Sequence, residues 1–236
     1  MNTTLQAKRI ALVTGASRGI GRAASLALAK AGYHVILSAR TTGALEELDD
    51  EIRAAGGSAS ILRLDLTEGA TVDVLGPALF ERWQQLDVLV ACAGVLGRLS
   101  PLAHTEDKHW NGVMAVNLTA NWRLIRTLDP LLRRSEAGRA IFVTSGFARD
   151  IHAYWGPYAV SKAGLEALVA TYAAEVATTP VRVNLLDPGV VRTAMRAEAF
   201  PGEDPATLKA PEALAPYFLD LASPACTRNG EIVIAA

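Results

Sequence analysis

The stretch "VTGASRGIG", residues 13–21, joins two different patterns. The segment that leads into it, "RIALVTG" (9–15), is short, apolar and β-branched, as a buried strand is. A helical pattern follows over 19–31. Gly15, Gly19 and Gly21 fall in the turn between them. Glycine permits the tight turn and lets backbone N–H groups approach a pyrophosphate at the start of a helix. A glycine-rich match alone is weak, but a strand before it and a helix after it, opening a βαβ unit, meet the structural context such a motif requires. The turn is therefore predicted to hold a dinucleotide, against the alternative of a turn that only packs.

Working outward, further strand candidates are "HVILSAR" (34–40), "SILRLDL" (60–66), "LDVLVACAG" (86–94), "AIFVTSG" (140–146), "VRVNLLDPG" (181–189) and "EIVIAA" (231–236). Several are continuously apolar, which suits parallel strands buried on both faces. Helices are predicted near 19–31, 43–55, 68–84, 107–135, 158–178 and 211–222. This alternation predicts an α/β fold, a doubly wound seven-stranded parallel sheet with helices on both faces, in one domain over 1–236. One segment, 192–211, fits no regular element and follows the sixth strand; such an excursion at a carboxyl end is expected to act as a substrate lid.

Composition narrows the classes. Half of the 236 residues are hydrophobic, a fifth are charged and the net charge is -1. Scattered basic residues argue against nucleic acid, and no apolar run approaches the ~20 residues of a membrane helix. The basic pair before the first strand does not make a signal peptide, because the apolar run stops at the glycine turn. Cys92 and Cys226 lack CxxC spacing, so neither a metal site nor a disulfide framework is expected and a cytoplasmic location is the default.

Cofactor type is read at the end of the second strand. An NAD site usually places Asp or Glu there for the ribose hydroxyls. Here the sequence is "LSAR", ending on Arg40, and Arg18 lies inside the glycine turn. Two guanidinium groups suit a 2′-phosphate, so NADP(H) is favoured over NAD(H).

Near the middle, "HAYWGPYAVSK" (152–162) holds Tyr154 and Tyr158, with Lys162 four residues after the second. Pro157 suits the first turn of a helix, which puts Tyr158 and Lys162 one turn apart on one face and leaves Tyr154 in the preceding loop. A free tyrosine has a pKa near ~10 and needs a cation to act as a base at neutral pH. Ser145 at the end of "FVTSG" and Asn117 in "AVNLTA" are further polar candidates.

Taken together, "TGASRGIG" (14–21), "LDL" (64–66), "AG" (93–94), Asn117, Ser145, "YAVSK" (158–162) and "PGVVRT" (188–193), in that order, resemble the short-chain dehydrogenase/reductase family of the shorter, classical kind, over almost the whole chain. The segment 192–216 is also similar to a bacterial branch of uncharacterised oxidoreductases. The resemblance implies a Rossmann fold and a catalytic set of Asn117, Ser145, Tyr158 and Lys162. Tyr158 would exchange a proton with a carbonyl or alcohol oxygen, Ser145 would bind the same oxygen, Lys162 would lower the tyrosine pKa and bind the nicotinamide ribose, and Asn117 would hold a relay water. It extends the cofactor site to Ser17 and Ile20 in the turn, Asp65 and Leu66 at the adenine, Ala93 and Gly94, and Pro188, Gly189, Val191 and Thr193 beside the nicotinamide.

Two departures from the family pattern stand out. Cys92 replaces the usual asparagine before "AG", which puts local stability in doubt, and the chain ends at "NGEIVIAA" without a glycine-rich tail, which puts tail-mediated tetramer contacts in doubt. Val95, Leu96, Phe147, Trp155 and Val190 are apolar pocket candidates; Arg149, His152 and Arg196 are polar ones. The 158–178 helix is apolar around most of its circumference, and a homodimer or homotetramer through it and the helix near 110–130 is expected. A non-catalytic NADP-binding redox sensor and a scaffold protein are the competing classes.

Overall fold

The computed structural model describes residues 8–235. Seven parallel strands form one sheet in the order β3-β2-β1-β4-β5-β6-β7: β1 (Ile10–Thr14), β2 (His34–Ala39), β3 (Ser58–Arg63), β4 (Val88–Ala91), β5 (Arg139–Val143), β6 (Arg182–Asp187) and β7 (Ile232–Ile234). The inner strands are buried along almost their whole length, while the edge strands β3 and β7 alternate or lie open. That is the burial expected when helices cover both faces of the inner strands.

Two apolar layers flank the sheet. On one side, α1 (Gly19–Lys30), α2 (Gly43–Ala54) and α9 (Ala215–Ala222) pack Leu28, Leu48 and Phe218 against Val13, Val35 and Ile141. On the other, α3 (Gly69–Asp73), α4 (Leu75–Trp83), α6 (Ala120–Leu132) and α7 (Gly156–Glu175) pack Val72, Leu79, Leu124 and Val169 against Leu12, Leu89 and Phe142.

Three predicted elements differ from what is seen. The helix predicted over 107–135 divides into α5 (Asp107–Met114), a π-helical turn Ala115–Thr119 and α6. A π turn inserts one extra residue into the helix, and here the inserted turn carries Asn117, whose side chain is bound in the interior. The helix predicted over 68–84 is likewise divided into α3 and α4 at Val74. The fourth strand was predicted to run to Gly94 but ends at Ala91, because the amides of Cys92 and Ala93 bond to the Thr14 hydroxyl instead of a neighbouring strand.

The 192–211 excursion is folded. It contains α8 (Ala194–Ala199) and a 3₁₀ turn at Pro205–Thr207. Its ends meet through the Val191–Lys209 bridge and the Arg192 N–H to Lys209 carbonyl bond of 2.8 Å.

Candidate active site

In the sheet order, β1 lies beside β4 rather than β3, so the connections leaving β1 and β4 run to opposite sides. An open α/β sheet forms its crevice at such a reversal, beyond the strand carboxyl ends. A cleft of ≈ 840 Å³ lies there. Its floor is the glycine turn. Gly15 has φ +68, and a Cβ on it would sit 2.9 Å from the Ala93 Cα; a Cβ on Gly21 would run into the Gly15 carbonyl. The α1 helix begins at Gly19, its preceding residue Arg18 is extended and makes no side-chain cap, and Gly19, Ile20 and Gly21 line the cleft. Uncapped first-turn amides in a cradle that any side chain would fill fit a pyrophosphate.

Arg18, Arg40, Asp65 and Leu66 line the cleft, with Arg40 near Asp65. Asp65 Oδ1 accepts from the Thr67 amide at 2.9 Å and its hydroxyl at 2.8 Å. The Thr67 amide bond holds the carboxyl below its usual range against the opposing effect of desolvation, helped by the Thr67 hydroxyl and nearby Arg40 and Arg63. Ser17, Ala93, Gly94, Pro188, Gly189, Val191 and Thr193 also line the cleft, with Thr193 beside Gly19 and Gly94 beside Lys162.

Ser145, Tyr158 and Lys162 meet in the cleft. Tyr158 is buried on α7, with its ring 5.8 Å from Lys162 Nζ. Burial raises the tyrosine pKa above its ordinary value; the Ser145 hydroxyl, hydrogen-bonded to it, works the other way. Lys162 is buried and donates to the Val143 carbonyl at 2.8 Å. Burial lowers it to about 8. Asn117 stands behind the cleft wall. Its Oδ1 accepts from the Val95 amide at 2.9 Å, and its Nδ2 donates to the Val95 carbonyl at 2.9 Å and to Ser161 Oγ at 3.0 Å. Tyr154 lies outside the cleft, 60% exposed at φ 74.

Comparison with known proteins adds an independent line. The family model described as short chain dehydrogenase matches residues 9–204. The chain belongs to the short-chain dehydrogenase family. It is 38% identical over 214 residues to the uncharacterized oxidoreductase YciK of Escherichia coli, covering 89% of this chain and 84% of that one. It is 34% identical over 195 residues to a sepiapterin reductase of Chlorobaculum tepidum, covering 80% of each. Among solved structures, a candidate short chain dehydrogenase of Shigella flexneri complexed with NADP superposes with a TM-score of 0.91 at 36% identity, over 96% of both chains.

Within this short-chain dehydrogenase, three of the pocket candidates fall elsewhere. Val190 is 48% exposed, and His152 sits on the surface beside Asp150. Arg149 points to Glu166 and Asp187 rather than into the cleft. Arg196 does reach the cleft, but it is held by two bonds to Glu203, at 2.6 and 2.7 Å, and stacks 3.7 Å from the Phe200 ring centroid. Val95, Leu96, Phe147 and Trp155 line the cleft as expected, and Met195 and Phe200 join them from the excursion.

Two supporting residues escaped the sequence reading. Thr14 Oγ1 accepts from the amides of Cys92 and Ala93, at 3.1 and 3.2 Å, so the backbone tie between β1 and β4 does not depend on the side chain at position 92. Ser161 links Asn117 to the Tyr158 carbonyl, to which its hydroxyl donates at 2.8 Å. Either could have been suspected only from adjacency to a motif.

Proposed function

We propose that this protein is an NADP(H)-dependent oxidoreductase that transfers hydride between nicotinamide and a carbonyl or secondary alcohol, with Tyr158 as general acid/base. The observation that carries the reading is that Tyr158, Ser145 and Lys162 come together in a glycine-cradled cleft. The nicotinamide, when bound, supplies the hydride. The protein's part is to bind, orient and move one proton. Ser145 would hold the substrate oxygen beside Tyr158. A phenol kept above its ordinary pKa arrives protonated, which suits a donor to a carbonyl becoming an alkoxide. Bringing Lys162 to its charged form would then stabilise the phenolate left behind. Asn117 keeps the Val95 and Ser161 segments in place around the pair.

Arg18 and Arg40 at the adenosine end are the proposed 2′-phosphate clamp. Two solved structures similar to this chain, at 36% identity each, are complexed with NADP or NADPH, which supports the choice.

The substrate end is walled by Leu96, Phe147, Trp155, Met195, Ala199 and Phe200. Phe147 and Trp155 stack with centroids 3.7 Å apart, and Arg196 is already paired with Glu203. Such a wall favours an uncharged carbonyl with an apolar or aromatic body. The 192–211 excursion supplies three of these residues and serves as the lid. Val160 on α7 and Trp122 on α6 are 43% and 42% exposed, and these helices are the proposed contact between copies of the chain. Among the described residues no helix is long and apolar enough to cross a membrane. Cys92 and Cys226 are free thiols, in keeping with a reducing cytoplasm.

The test is NADPH oxidation by the purified protein against a panel of neutral aromatic and aliphatic ketones and aldehydes, with NADH in parallel. Turnover with NADPH, lost in Tyr158→Phe while NADPH binding persists, is the expected result. Tight NADPH binding without turnover on any carbonyl would turn the reading towards a redox sensor. Equal loss of binding and turnover in Tyr158→Phe would remove the role assigned to Tyr158.

A further inference from the structure

Arg149 joins three segments that carry the site. It follows the 3₁₀ turn Gly146–Ala148, which begins at Ser145. Its Nη1 bonds Glu166 Oε1 on α7, and its Nη2 bonds Asp187 Oδ2 at the end of β6. Glu166 Oε1 also accepts from the Thr144 hydroxyl at 2.7 Å. Asp187 Oδ1 accepts from the Gly189 amide at 3.0 Å, fixing the turn after Pro188. A Cβ on Gly146 would lie 3.7 Å from Asp187 Oδ2, so this carboxylate lies directly against the residue following Ser145. The Arg149 and Asp150 amides both donate to the Gly146 carbonyl, at 2.9 and 2.8 Å. The cluster is well covered: the side chains of Asp187, Glu166 and Arg149 are 5%, 14% and 37% exposed.

One guanidinium against two carboxylates leaves one negative charge in excess. That excess acts on the proton-handling pair. The charges that act on Lys162 are Glu166 from its own helix and Asp187 from the end of β6; the Cys92 thiol just beyond β4 is pushed up to about 12 and is uncharged where Lys162 titrates. Asp187 also acts on Tyr158, beside the Ser145 hydroxyl, and Cys92 would join it only once ionised. The cations on the same side are occupied: Arg196 by Glu203, and Lys209 by a 3.0 Å bond to the Ala235 carbonyl.

We infer that Arg149, Glu166 and Asp187 are positioning residues for Tyr158 and Lys162. The guanidinium locks the Ser145 turn, α7 and the Pro188–Gly189 turn against one another, and the excess carboxylate sets the field in which the pair holds its proton. The catalytic meaning rests on the role proposed for Tyr158. Asp187 favours the protonated form of both groups and Glu166 that of Lys162, and Arg149, ion-paired with both carboxylates, offsets their charge. Removing a carboxylate and removing the arginine therefore act in opposite directions. A cluster that only held the fold together would damage the protein in either case without moving the titration in opposite senses.

The experiment needs no substrate. The five lysines are Lys8, Lys30, Lys108, Lys162 and Lys209, so the Cε signals of ¹³C-lysine-labelled protein can be followed by NMR across pH, with Lys162→Met identifying the signal. The wild-type Lys162 is expected to titrate near 8. Asp187→Asn and Glu166→Gln should each move it down, and Arg149→Met should move it up, by about half a pH unit or more. Arg149→Lys, which keeps the charge, should stay near wild type. Should Asp187→Asn fail to fold, Glu166→Gln carries the same arm. Shifts below about 0.2 unit, or carboxylate and arginine variants moving the same way, would overturn the inference. Given a substrate, the alkaline limb of kcat/KM should follow the same directions. If the wild type turns over no carbonyl while the lysine titration moves as stated, the proposed reaction fails and the electrostatic coupling stands.

Discussion

Replacing Asn117 should weaken the fold before it affects any chemistry. Its amide makes three bonds in the interior, two of them to the Val95 backbone. Asn117→Ala leaves the Val95 N–H and C=O unpaired beside a fully buried position. Val95 is half-buried on the cleft wall, so each lost bond costs about 0.5–1.5 kcal/mol and the two together predict a loss of about 1–3 kcal/mol. For a chain of this length that corresponds to a fall of roughly 2–12 °C in Tm. Asn117→Asp is nearly isosteric and should be worse at neutral pH. One carboxylate oxygen still accepts from Val95 N–H, but the other faces the Val95 carbonyl, and a charge is buried. Protonation would restore a donor towards that carbonyl. The folded-state pKa of the new acid would lie above its unfolded value, so its stability deficit should shrink as pH falls from 7 towards 5. Urea unfolding followed by tryptophan fluorescence measures all three proteins. A loss below about 0.5 kcal/mol for Asn117→Ala, or wild-type stability for Asn117→Asp at pH 7, would refute the hydrogen-bond account.

Other consequences can be checked alongside. Lys162 is lowered from 10.5 to about 8, so between those values the unfolded chain holds a proton that the folded one has released, and this residue's contribution makes stability rise with pH. Cys92, raised from 9.0 to about 12, acts in the opposite sense above 9. Lys162→Met should therefore flatten the stability profile between pH 8 and 9, and an unchanged slope in urea titrations would count against a proton released there. Gly21→Ala drives a methyl group into the Gly15 carbonyl; NADPH affinity should fall by about tenfold or more, and fluorescence titration showing wild-type affinity would remove the cradle from the cofactor site. Arg40→Ala should weaken NADPH by about tenfold or more while leaving NADH nearly unchanged, and equal effects on both would remove the 2′-phosphate contact.

The sequence by itself determined the layered fold and the location of its cleft. Continuous apolar runs such as "IALVT" can only be strands covered on both faces, and the glycine turn after the first of them is a local event, readable from adjacent residues. The same holds for Tyr158 and Lys162, which one helical turn brings to one face. The π turn at Asn117 was not legible, because nothing in "AVNLTA" marks an inserted residue; the interior hydrogen bonds of that asparagine mark the place. Nor was the end of β4, where the Thr14 hydroxyl draws two amides away from the sheet.

Tertiary structure alone decided the partners of isolated charges. Arg149 read as a candidate to meet substrate, yet it lies between Glu166, seventeen residues on, and Asp187, thirty-eight on. Arg196 reaches the cleft but spends its charge on Glu203. A short-range pattern fixes which residues share a strand or a helix face, because that depends on backbone periodicity. It does not fix which carboxylate an arginine finds, because that depends on where crossovers return the chain, and the long, flexible side chain takes whichever buried partner the finished fold puts within reach.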